Sequence, residues 1–104
     1  MIFISYSWLD KAFAETVVDG LQRARTPYWI DSERLDLEKN LAGQIVRGLK
    51  QSSSILLIES FSSAASPWVQ FEMGIAKALD RSVARLRPAE HRQPGSAFCR
   101  WRLP

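Results

Sequence analysis

Ser66, Pro67, Trp68, Val69, Gln70, Phe71 and Glu72 open a helix and then set a carboxylate on the side of it that should be apolar. Ser66 accepts a hydrogen bond from free backbone N–H groups as an N-cap, and Pro67 brings the preset φ of a first helical position. Trp68, Glu72, Ile75 and Leu79 follow at intervals of four, three and four residues, so at about 3.6 residues per turn they share one face. The positions one turn from Glu72 hold Trp68, Val69, Ile75 and Ala76, none of which can neutralise its charge. A partner has to come from another element. A carboxylate beside a large aromatic, with no local cation, sits either at a solvated edge of the stripe or in a pocket that uses its charge.

Other chemistries find little support in the residues. Ser5 and Ser7 have no histidine at a catalytic spacing, which removes a serine-hydrolase reading. No G-x-G-x-x-G or Walker pattern cradles a phosphate. One His91 and one Cys99 make neither a recognisable zinc site nor an intrachain disulfide, so no metal is expected. Tyr6, Trp29 and Trp68 are core formers by default, and stacking partners for a flat ring wherever a pocket reaches them.

The elements that must position these groups alternate. Ile2 to Tyr6 reads as a buried strand, and Ser7 or Asp10 caps a helix carrying Phe13, Val17, Leu21 and Ala24 until Thr26 and Pro27 stop it. Tyr28 to Asp31 is a second β-prone run, and 32–40 an acidic, irregular loop. Leu41, Ile45 and Leu49 mark a second helix, weakened by Gly43 and Gly48 at about 1 kcal/mol each relative to alanine. Ser54 to Ile58 is a third, apolar strand, and Ser60 to Ala65 a small-residue loop leading to the helix capped by Ser66.

Short buried strands alternating with helices predict an α/β fold, a flavodoxin-like doubly wound parallel sheet with helices on both faces. Ligands of such sheets gather beyond the carboxyl ends of the strands, which places Tyr6, Ser7, Asp31, Ser60 and the start of the Glu72 helix on one rim. Residues 82–86 offer a fourth strand, but Arg85 and Arg87 suit it poorly to burial on both faces and Pro88 ends it.

The chain of 104 residues is one small domain, 46% apolar and 24% charged, as a soluble globular protein is. No apolar run reaches the ~18 residues of a membrane span, and Met1 to Tyr6 lacks the features of a signal peptide, so no membrane partner and a cytoplasmic location are expected. The formal net charge of +3 is unevenly spread. Up to residue 80 there are eight Lys or Arg against ten Asp or Glu, and beyond it six Arg against one Glu. The expected division is therefore an α/β domain at 1–80 and a basic, weakly structured tail at 81–104. With the basic residues confined to that tail, no folded face is built for nucleic acid.

Three segments in this order, Phe3-Ile4-Ser5-Tyr6-Ser7, Trp29-Ile30-Asp31 and Trp68-Val69-Gln70-Phe71-Glu72, resemble the TIR (Toll/interleukin-1 receptor) domain in its compact bacterial form. The resemblance covers Ile2 to Leu79. It implies one of two activities: cleavage of the nicotinamide–ribose bond of NAD in a signalling or defence role, or non-enzymatic assembly with itself, an adaptor or other TIR domains. In the enzymatic case it implies Glu72 as the catalytic residue, with Tyr6, Ser7, Asp31 and Trp68 lining the pocket, NAD as substrate and no cofactor. The chemistry suits a lone glutamate, because nicotinamide departs as a neutral base and the charge develops on an oxocarbenium-like ribose that a carboxylate can steady. Two departures from the family pattern stand out. The proline-glycine turn that follows the second strand is absent from 31–43, and the last strands and helix are missing or replaced by the arginine-rich tail, as in a truncated or altered C-terminal part.

Overall fold

A computed structural model of the chain describes residues 1–36 and 38–88, together with the backbone of 101–102. Four strands form a parallel sheet: β1 (Ile2–Ser5), β2 (Tyr28–Trp29), β3 (Ser54–Ile58) and β4 (Ser82–Pro88). A two-residue β5 (Trp101–Arg102) pairs antiparallel with the end of β4, and the strand order is β2-β1-β3-β4-β5. This is the order of flavodoxin-like sheets. The helices are α1 (Lys11–Arg23), α2 (Asp31–Arg34), α3 (Leu41–Gln51), α4 (Phe61–Ala65) and α5 (Pro67–Ala78), with a 3-10 turn at Trp8–Asp10. No helix among the described residues is long and apolar enough to cross a membrane.

Strand side chains alternate between faces, and two apolar cores result. Ile4 and Ile58 join Phe13, Ala14 and Val17 of α1 on one side. Phe3 and Ile55 join Ile45 and Leu49 of α3 and Ala76 of α5 on the other. Ser5 therefore points the way Phe3 does, toward α5. On that side Phe3 and Trp29 stack with centroids 4.7 Å apart and planes 6° from parallel. Gly48, expected only to weaken α3, meets the Trp29 indole so closely that a Cβ there would lie 2.8 Å from Cε2. The packing this allows offsets its cost to the helix.

Three segments differ from the sequence expectation. Asp31 does not extend the second strand but begins α2, where Asp31 and Glu33 supply negative charge to the first turn after an extended Ile30. The expected loop before α5 is helical, because Ser60 and Ser63 form a reciprocal capping box around the start of α4. Ser82–Pro88, placed in the tail by the expected division at residue 80, pairs with β3 from Ser54↔Ser82 to Ile58↔Leu86. Its arginines stay on the exposed side, where Glu59 accepts from Arg85 at 2.6 Å and pairs with Arg87, and only Leu86 is buried. The weakly structured tail expected beyond Pro88 falls on 89–100 and 103–104, outside the described residues.

Candidate functional site

Of the rim predicted from the strand ends, Tyr6, Asp31 and the start of α5 gather around Glu72, while Ser7 and Ser60 cap the 3-10 turn and α4. Ser66 caps α5 by accepting from the Val69 N–H at 3.2 Å, with Pro67 at the first helical position. The helix turns its Val69, Glu72 and Ala76 face onto the sheet, and Glu72 ends 1% exposed. The solvated-edge alternative is therefore overturned. The missing partner comes from β1: the Ser5 hydroxyl, itself fully buried, donates to Glu72 Oε1 at 2.7 Å.

Burial without a cation pushes the Glu72 carboxyl up to about 8 from an ordinary 4.5. The Ser5 hydrogen bond opposes that rise, the negative charge of Asp31 adds to it, and the Trp68 indole N–H favours the ionised form. At neutral pH these surroundings thus favour the protonated acid.

Asp31 arrives from the end of β2 through the first residue of α2 and is buried as well. Its Oδ2 accepts from Trp68 Nε1 at 3.2 Å, while its Oδ1 has no hydrogen-bond partner among the described residues. An unpaired buried carboxylate oxygen is costly and marks a place for a donor. Tyr6, one residue past β1, is buried, and burial together with the neighbouring Asp31 charge pushes its phenol up to about 12. It therefore stays a neutral donor and acceptor.

The structure brings four of the five expected residues, Glu72, Trp68, Asp31 and Tyr6, into one mutually interacting group. Ser7 stands apart in role: its hydroxyl accepts from the Leu9 N–H at 3.3 Å and caps the 3-10 turn. Ser5 is the residue that sequence reasoning missed as a partner. Its signal was a lone hydroxyl ending an apolar strand, on the same side as Phe3. A separate groove of about 420 Å³, lined by Leu57, Gln70, Met73, Lys77 and Arg85, includes none of these groups. Among the described residues no cluster of three acidic, histidine or cysteine side chains is arranged to hold a metal.

A family model described as TIR domain matches residues 2–98. The fold is similar to the crystal structure of the TIR domain of the Toll-related receptor TRR-2 from Hydra magnipapillata, with a TM-score of 0.76 at 16% identity, covering 90% of this chain and 74% of that one. At that identity the likeness concerns the fold alone. No curated protein matches the sequence.

Proposed function

From the premise that the chain belongs to the TIR domain family, we propose that it hydrolyses the nicotinamide–ribose bond of NAD with Glu72 as its catalytic residue. The observation that carries this reading is a buried glutamate with a neutral hydroxyl as partner, next to an aspartate oxygen left without one. Solvent-excluded, unneutralised acidity of this kind is expensive to maintain and concentrates where charge is used.

In the proposed reaction the bond between the anomeric carbon and the pyridinium nitrogen breaks and its electron pair goes to the ring, which leaves as neutral nicotinamide. Ionised Glu72 steadies the cationic ribose through charge and its hydroxyls. Water then adds to the anomeric carbon and releases a proton, giving ADP-ribose. The unpaired Oδ1 of Asp31 is a natural acceptor for a ribose hydroxyl, with the half-buried Trp68 indole, bonded to the same carboxylate, as its flat apolar neighbour. The positive pyridinium lowers the pKa of a nearby carboxyl, so substrate itself favours the charged form of Glu72.

The test is release of nicotinamide from NAD by the purified chain. Wild type turns over and both Glu72→Ala and Glu72→Gln are inactive; turnover persisting in both variants removes the role of Glu72.

A specific observation also favours assembly. Trp8, Leu9 and Phe61 are 65%, 84% and 91% exposed, and the 3-10 turn and α4 that bear them are joined by Ser60 donating to Asp10 at 2.5 Å. Large exposed apolar groups mark contact surfaces. Association with like domains through this side predicts a mass that rises with concentration and returns to monomer in Trp8→Ser with Phe61→Ser; a monomer at all concentrations counts against it.

A further inference from the structure

Among the described residues, the polar contact that β1 makes with α5 joins positions 67 apart, Ser5 Oγ to Glu72 Oε1 at 2.7 Å. Ser5 has a fixed place. It pairs with Leu57 of β3 in a strand flanked on both sides, and none of its surface is exposed. With a single side-chain torsion and a rigid backbone beneath it, its hydroxyl has little freedom to follow the carboxyl. Glu72, by contrast, has three torsions and no ion pair among the described residues to hold them. Orientation of the acid is therefore delegated to the strand.

Resting on the hydrolase reading above, we propose that Ser5 is the positioning residue of the active site, fixing one oxygen of the Glu72 carboxyl for the step that stabilises the ribose. It does not touch the reacting atoms. The groups that interact with the carboxyl are Ser5 from β1, the Tyr6 phenol just beyond it, Asp31 from α2 and Trp68 from α5 itself. Ser5 and the indole favour ionisation, whereas burial and Asp31 oppose it. Loss of the hydroxyl consequently has two effects, a freer rotamer and a carboxyl that ionises at higher pH.

The experiment uses the full chain with carboxyl-13C glutamate, the Glu72 resonance being assigned through Glu72→Gln, and follows its pH titration beside the pH profile of nicotinamide release. In Ser5→Ala the midpoint moves up by about one pH unit, and kcat near pH 7.5 falls roughly tenfold with KM for NAD within about twofold. The acid limb of kcat moves in the same direction. Ser5→Cys, close in size but a weak donor, falls between and serves where the alanine variant folds poorly. Midpoint and acid limb unmoved in a folded variant, or a loss confined to KM, overturn the proposal. A wild-type chain that releases no nicotinamide sinks the hydrolase reading and this one with it, and is distinguished from a failure of Ser5 alone, in which wild type turns over and the variants match it.

Discussion

Glu59 and Glu72 carry the same carboxyl into opposite surroundings. Glu59 follows β3 with its side chain 24% exposed and lies between the Arg85 and Arg87 guanidinium groups, which hold it below the usual carboxylate range. Glu72 is sealed among Ser5, Trp68 and Asp31 and is pushed above that range. The first arrangement lets an arginine-bearing strand join the sheet. The second contributes nothing comparable to folding, and neutral residues of the same volume would pack there at lower cost. The contrast separates a carboxylate neutralised by two arginines from one left buried without a cation.

Their pH dependence separates them further. Glu59 has a depressed folded value, so its stabilisation is complete above its unfolded value and disappears as pH falls through the folded one. Glu72 has a raised folded value, so its contribution is complete below 4.5 and is lost as pH rises toward about 8.

The largest expected effect is on activity. Glu72→Gln lowers nicotinamide release by roughly 10³-fold or more while stabilising the fold by up to about 3 kcal/mol at pH 7, since the proton that the native acid must hold is no longer needed. Thermal melts at pH 5 and pH 8 check this, with the gain confined to the higher pH; an inactive variant with no gain breaks the contrast. Next, kcat/KM for NAD rises with pH through about 8 as free Glu72 ionises, whereas the limb of kcat lies lower because bound pyridinium favours the anion. A smaller shift is expected in Asp31→Asn. Removing that charge moves the Glu72 midpoint down, read by 13C titration, and a midpoint that stays put denies the coupling between the two acids. Smallest is Glu59→Gln, which costs about 1 kcal/mol or less, shrinks further in high salt and leaves nicotinamide release unchanged.

Much of this was legible in the sequence because it is local or periodic. Ser66 and Pro67 announce the start of α5, the interval from Trp68 to Leu79 places Glu72 on the buried stripe, and apolar runs mark β1 and β3. The partner of Glu72 was not legible, because a contact between the last residue of β1 and the second turn of α5 arises only when the sheet is assembled. The one-turn helices α2 and α4 are too short to show a period. Arg85 and Arg87 argued against β4 until Glu59, on the neighbouring strand's end, supplied the compensating charge. Of the residues expected to line a pocket, Ser7 reads the same in sequence whether it caps a turn or meets a ligand.

Gly48 has a reach beyond the helix that contains it. β2 is only two residues long and, among the described residues, pairs only with β1, so the Trp29 ring, pressed between Phe3 and the bare backbone at Gly48, acts as the rivet of that edge. Asp31 lies two residues farther along. The absence of one methyl group on α3 thus bears on where an acid just past β2 comes to rest, and a side chain missing from a helix shapes the edge of the sheet.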